Sequence, residues 1–190
     1  TLALQRIEIY KGGNAMQFGS TTLGGSINMI QKTGHSHSGH QLRFEMGSDD
    51  TFRGYMQSGK IFKDGSDMFM SLTGTTSDGF REHADQKNIK FNTNVGIKLS
   101  SQAETRFYFS ANQIDLELPG SVTQNQALTD PESARANAKS DDQRRDIISY
   151  RLSNKTTVDL GDGHKMDVGA FLFYKDLFHP IIAVVGVIDQ

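Results

Sequence analysis

Alternation with a period of two, repeated in one segment after another, constrains this chain more than any other feature. Its cleanest instance sets Ile89, Phe91, Thr93, Val95, Ile97 and Leu99 against Lys90, Asn92, Asn94, Gly96 and Lys98. Successive side chains of a strand point to opposite faces, so one face meets an apolar environment and the other a wet one. The same pattern sets Leu42, Phe44 and Met46 against Gln41, Arg43 and Glu45, and Met68, Met70 and Leu72 against Phe69, Ser71 and Thr73. Phe107, Phe109 and Ala111 oppose Arg106, Tyr108, Ser110 and Asn112. Ile148, Tyr150, Leu152, Thr156, Val158 and Leu160 oppose Ser149, Arg151, Ser153, Lys155, Thr157 and Asp159, and Met166, Val168, Ala170, Leu172 and Tyr174 complete the set. Over Phe52–Phe62, glycines and Tyr55 blur the faces. With that weakest member the reading gives seven strands in succession.

Composition agrees with strands: 19 Gly, 12 Phe and 5 Tyr against only 3 Pro suit pleated surfaces with turns and bulges. A formal net charge of −2 gives no global basic signal for nucleic acid. With no Cys, disulfide and thiolate chemistry are excluded. No apolar run is long enough for a transmembrane helix, but barrel strands need only ~9–11 residues with alternate ones apolar. The first residue is Thr and no charged-then-apolar leader follows, so a processed N-terminus or a piece of a longer protein is expected.

Alternation alone leaves a soluble β-sandwich binding module open. Two features favour a membrane barrel. Tight turns at Lys63-Asp64-Gly65-Ser66, Ser100-Ser101-Gln102-Ala103 and Gly161-Asp162-Gly163-His164 take turns with longer polar links at Ser77–Gln86 and Asp115–Arg145. The link at Ser48–Thr51 is short where that scheme expects a long one. The second feature is a charged wet face carrying Arg43, Glu45, Lys90, Lys98, Arg106, Arg151, Lys155 and Lys175, which a watery or plugged lumen accommodates and lipid does not.

The opening differs. Leu4–Tyr10 alternates as a strand, breaks at Gly12-Gly13-Asn14, and Ser26–Ile30 reads as a second short strand after Gly24-Gly25. From Thr33 to Gly39 the chain is mainly Gly, Ser and His, read as a flexible linker. The expected organisation is residues 1–33, a linker at 34–40, and a strand-rich part at 41–190.

Residues 5–19, Gln-Arg-Ile-Glu-Ile-Tyr-Lys-Gly-Gly-Asn-Ala-Met-Gln-Phe-Gly, resemble the last third of the plug of TonB-dependent outer-membrane receptors. Residues 22–30, Thr-Leu-Gly-Gly-Ser-Ile-Asn-Met-Ile, are similar to the closing plug strand of that family. Gly12-Gly13-Asn14, and Glu117-Leu118-Pro119-Gly120-Ser121 in the long link, resemble the ferric-siderophore and ferric-citrate branch. The resemblance implies an all-β fold: a partial transmembrane antiparallel barrel, seven strands of a family barrel of about 22, preceded by the C-terminal part of a plug. It implies a receptor and not an enzyme, set in the outer membrane of a Gram-negative bacterium among its lipids. Such a receptor imports a ferric siderophore or related chelate with energy from a TonB-type partner. The TonB box and earlier plug are expected before Thr1, and the remaining strands after Gln190. Seven strands do not close around a plug, and open edges are untenable in lipid.

Within that frame Arg6, Glu8, Lys11, Gly12, Gly13, Gly24, Gly25 and Asn28 form the plug's structural motif. Lys11 stands where the family commonly has an Arg facing barrel carboxylates, and Lys keeps the charge without the bidentate fork. The glycines match neither phosphate-loop nor dinucleotide spacing and are read as backbone devices. Arg81, His83, Arg144 and Arg145 lie in or beside the longer links, where cationic groups suit the anionic oxygens of an iron chelate; a solvated loop charge is the plainer reading. His35, His37 and His40 have spacing that suits a metal tract, but in a glycine–serine setting without Cys they are read as linker. No nucleophile elbow, metalloprotease helix or cofactor loop is present. The tail Ile181–Ile188 is read as the start of a further loop or strand, or as sequence altered by truncation.

Overall fold

The structure, a computed structural model, describes residues 3–13, 16 and 24–180. Two strands come first: β1 (Leu4–Tyr10) pairs antiparallel with β2 (Ser26–Gln31), setting Glu8 opposite Asn28. Seven more follow as β3 (Gly39–Met46), β4 (Phe52–Ile61), β5 (Asp67–Ser77), β6 (Gln86–Lys98), β7 (Ala103–Glu117), β8 (Arg144–Gly161) and β9 (His164–Phe178). They form one antiparallel sheet in chain order. All seven segments read from alternation are strands, the blurred Phe52–Ile61 included. One short helix, α1 (Gln124–Thr129), lies in the longest link, where no helix was expected; a capping box between Thr123 and Gln126 starts it.

The turns follow their residues. Between β8 and β9, Asp162 and Gly163 take φ of +52° and +80°, the left-handed pair that a two-residue hairpin requires. Between β4 and β5, the amide of Phe62 donates to Ser66 O (2.8 Å), and the Asp64 carboxylate caps the backbone N–H of Ser66 (3.1 Å). Between β6 and β7, the amide of Leu99 donates to Ala103 O at 2.9 Å. These three tight turns lie at one end of the sheet and the three longer links at the other. The brief link from β3 to β4 works because Asp49 and Asp50 both turn into the left-handed region, at φ +55° and +46°. Its Asp49 carbonyl then accepts from the Asp78 amide (2.9 Å) and supports the next loop.

Strand register carries the alternation across the whole sheet. Leu42, Met56, Leu72, Phe91, Ala111, Tyr150 and Tyr174 form one continuous cross-strand row on one face. Arg43, Tyr55, Thr73, Lys90, Asn112, Ser149 and Lys175 form a row on the other. Apolar side chains of the first face stand open: Leu42 is 66% exposed, Phe44 62% and Leu172 72%. A soluble sandwich needs a second sheet against that face, and among the described residues there is one seven-stranded sheet and no cover. The sandwich alternative is therefore set aside. Its bare apolar face instead fits contact with hydrocarbon, with aromatic neighbours such as Phe44 and Phe52 (6.0 Å between centroids) or Tyr150 and Tyr174 (6.2 Å) stacked along it.

The segment after β2 departs from its reading as a flexible linker. β3 already begins at Gly39. Before it, the Thr33 amide donates to Ser36 Oγ (2.9 Å) and the His37 amide to Thr33 O (2.9 Å), closing a turn. Gly34 is buried against the sheet. Composition suggested freedom because glycine and serine have little to pack; the partners that fix the turn lie far along the chain.

Candidate functional site

The wet face is one continuous wall. All eight charged residues assigned to it (Arg43, Glu45, Lys90, Lys98, Arg106, Arg151, Lys155 and Lys175) share one parity of the register. Several pair across it: Glu45 with Arg43 (2.7 Å) and Arg53 (3.1 Å), and Lys155 with Asp167 (3.0 Å). These pairs are well exposed, so each contributes little to stability. β9 breaks the division, since Phe171 and Phe173 fall on the wet face; the Arg151 guanidinium covers the Phe171 ring at 5.4 Å.

At the tight-turn end the wall carries a buried ionic knot. Arg106 grips Asp67 with both terminal nitrogens, at 3.1 and 2.5 Å, and also donates to Asn94 Oδ1 (2.8 Å) and Glu104 (2.9 Å). Asp67 and Arg106 sit two strands apart, on either side of Gly96 in the same cross-strand row. A Cβ at Gly96 would collide with the guanidinium and stand 2.5 Å from the Asp67 carboxylate, so only glycine lets the pair meet. Asp67 also accepts from the Gly34 amide (2.6 Å), and Asn94 Nδ2 donates to Lys32 O (2.8 Å). Sequence reasoning placed Arg106 and Asn94 on the wet face but missed Asp67 and the cluster the three form. The available signal was an acid and a base in wet rows with a glycine between them once the tight turns fix the register.

At the long-link end the loops hold one another. Arg81, from the link between β5 and β6, donates to Ser133 O (3.0 and 2.8 Å) and Gly120 O (2.8 Å) in the link between β7 and β8. His83 adopts φ +55°, with its ring Nε2 2.9 Å from Gln143 O and Nδ1 3.4 Å from the Glu117 carboxylate. Arg144 is held by Asp146 (2.7 Å) and Asp142 (3.4 Å). Arg145 is exposed, makes no side-chain bond among the described residues, and shares the wet-face row of Ser77, Gln86 and Leu116. Beside it, Gln143 Nε2 and Asp146 Oδ1 are buried without a partner among the described residues, an arrangement that water or a bound molecule ordinarily satisfies. The four residues singled out thus gather at one rim, three occupied by the loops and one open.

In the first hairpin the motif centres on Glu8. Arg6 (2.7 Å), Tyr10 (2.9 Å) and Asn28 (3.0 Å) all donate to its carboxylate. Those bonds, Arg6 first, hold Glu8 below the ordinary glutamate range, and the same contact raises Tyr10. Gly25, at φ +134°, passes so close to Tyr10 O that a Cβ would lie 2.7 Å from it. Lys11, Gly12, Gly13 and Gly24 are exposed at the open end of the hairpin. Asn14, Ala15, Gln17–Leu23 and Ile181–Ile188 lie outside the described residues. The three histidines do not converge: His35 reaches Gly65 O (3.1 Å), His37 bonds Ser36 (3.1 Å), and His40 falls on the apolar face with Leu42.

No protein-family model matches the sequence. Among solved structures, the siderophore receptor PiuA from Acinetobacter baumannii superposes with a TM-score of 0.73 at 19% identity, over 92% of this chain and 27% of its own. The ferric-catecholate import receptor Fiu from E. coli K12, in an open form, gives 0.72 at 17% identity, over 92% of this chain and 29% of its own. The chain therefore spans between a quarter and a third of the length of these structures, and at such identities the likeness is one of fold. In fold, the chain is a partial antiparallel β-barrel of the kind found in siderophore receptors, as the resemblance of its opening residues to TonB-dependent receptors implies.

Proposed function

We propose that this chain is a stretch of an outer-membrane receptor that captures a ferric siderophore or related iron chelate and imports it with energy from a TonB-type partner. Residues 1–33 supply the end of the plug, 34–40 the passage to the barrel, and 41–190 its first strands. One observation carries the reading: a single sheet whose apolar face is bare over its middle and whose opposite face carries most of the strand charges, with Lys87, Asp115 and Asp146 forming a charged row on the apolar parity only at the long-link rim. Its fold likeness to a siderophore receptor and a ferric-catecholate import receptor supports an iron chelate as the ligand.

Capture belongs to the long-link rim. Arg145 offers an unengaged guanidinium on the wet face, suited to carboxylate or catecholate oxygens. Arg81, His83 and Arg144 set the shape of the loops around it and meet the ligand when those loops rearrange. The receptor does no covalent chemistry; its work is binding followed by energised passage.

The test uses the whole receptor that carries this stretch, expressed in an iron-starved strain lacking its own ferric-siderophore receptors. Growth on a ferric catecholate or ferric citrate, lost on removal of the energy-coupling partner, is the expected result. Arg145→Ala is expected to weaken chelate binding roughly tenfold, the scale of one charge-assisted hydrogen bond. Growth on none of a panel of iron chelates, with the protein correctly in the outer membrane, would overturn the ligand assignment.

A further inference from the structure

The knot around Asp67 does more than stabilise the wall. Asp67 is 1% exposed, and its carboxylate accepts from two consecutive backbone amides of the preceding turn, Gly34 (2.6 Å) and His35 (3.3 Å). Two aligned amides on one carboxylate hold a backbone, because neither partner has a rotatable side chain to yield. Gly34 is buried so tightly that a Cβ there would stand 2.5 Å from Lys60 O and 2.7 Å from Met68 O. Gly59, on β4, faces the His37 carbonyl just as closely. The turn is therefore seated in a groove lined by two strands and closed by an ion pair.

Lys32 lies at the junction. Its amide donates to Ala3 O (2.9 Å), on the hairpin side, while its carbonyl accepts from Asn94 (2.8 Å), on the sheet side. Its ammonium reaches Gln57 Oε1 at 3.1 Å. Upstream of Lys32 the described bonds of β1 and β2 are to each other; from its carbonyl onward the main chain bonds to the sheet through Asn94 and Asp67 and otherwise within its own turn.

We infer that Asp67 and Arg106 form a latch that makes the Thr33–His37 turn part of the barrel wall, so that movement of the β1–β2 hairpin relative to the sheet pivots at Lys32. Glycine- and serine-rich composition would have put the pivot between Thr33 and Gly39. Arg106 acts as a positioning residue: it does not touch the turn but fixes the carboxylate that does. The inference needs the hairpin and sheet only and is independent of which ligand the receptor takes.

Hydrogen exchange on the whole receptor in detergent, without ligand, tests it. Peptides covering residues 33–37 should exchange as slowly as those from β5, and much more slowly than those from residues 121–131 in the longest link. Asp67→Asn should speed exchange at 33–37 roughly tenfold, the scale of one charge-assisted hydrogen bond, with β6 and β8 unchanged. Arg106→Gln should do the same through the carboxylate it no longer holds. Should Asp67→Asn loosen the whole sheet, Gly34→Ala decides, since it unseats the turn, its Cβ meeting Lys60 O, Met68 O and Asp67 Cβ, and removes neither charge of the ion pair. A wild-type turn that exchanges as fast as residues 121–131, or a turn still slow in Gly34→Ala, overturns the latch.

Discussion

The two faces of β5 reverse the rule for proteins in water. Along one face Asp67, Phe69, Ser71, Thr75 and Ser77 are all buried, and four of the five are polar. Along the other, Met68, Met70 and Leu72 are partly or well exposed. In water, exposed contiguous apolar rows of this length mark an interaction surface, and buried polar groups are tolerated only when bonded. Here both conditions hold. On the inner face Asp67 binds Arg106 and the Gly34 amide, Thr75 accepts from Arg53 (3.2 Å) and Ser77 pairs with Thr51 (2.7 Å), and the outer row continues over seven strands. The contrast is the one expected of a sheet set against an apolar medium, and on the proposed function removing a polar bond inside and adding a charge outside are both costly, for different reasons.

The sharpest way to break the contrast is from inside. Asp67→Ala leaves the buried Arg106 guanidinium without its bidentate partner and is expected to cost about 3–5 kcal/mol, read as a lower urea midpoint of the whole receptor in detergent micelles. Next come adjacent residues on opposite faces. Leu72→Arg, at the centre of the apolar face, should destabilise by about 2–4 kcal/mol in a bilayer, whereas Thr73→Arg on the wet face should cost under about 1. Equal effects would mean that the faces share one environment. Arg81→Ala removes several donors from loop carbonyls that water can reach, an expected loss of about 1–2 kcal/mol confined to the rim; limited proteolysis of residues 118–143 should accelerate while the strands stay intact.

Acid gives the smallest effect. Because Glu8 is held below its ordinary value of 4.5, its bonds to Arg6, Tyr10 and Asn28 add stability that is complete above that pH and declines as pH falls through the lower folded value. Protection of the β1 and β2 amides, corrected for the intrinsic pH dependence of exchange, should decline as pH falls below the ordinary glutamate value of 4.5, and Glu8→Gln should flatten that dependence.

Much of this was legible in the sequence because strand periodicity is local. Seven alternating runs gave seven strands, and the eight wet-face charges fell on one face because tight turns such as Asp162-Gly163 fix the register. What the sequence hid was long-range. Asp67 begins a strand as an unremarkable acid, and only the pairing of β5, β6 and β7 brings it over Gly96 to Arg106. The same contact turned an apparent linker at Thr33–His37 into a seated turn. At the rim, the sequence leaves Arg81 and His83 as solvated loop charges or as groups suited to an anionic chelate; the structure engages them with carbonyls of a link some forty to sixty residues away. α1 was missed because six residues, four of them polar, held by a capping box leave no apolar period to see.

This stretch has no Cys of its own, so single cysteines carrying a fluorophore can report each face in a whole receptor cleared of any other Cys. Substituted one at a time from Ile89 to Ile97 in the whole receptor in outer-membrane vesicles, they should alternate. Positions 89, 91, 93, 95 and 97 should be quenched by lipid-borne spin labels, and 90, 92, 94 and 96 should not. Uniform quenching, no quenching, or a protected row at 89–97 in a protein that is stable in water without detergent would contradict a sheet set between lipid and a wet interior.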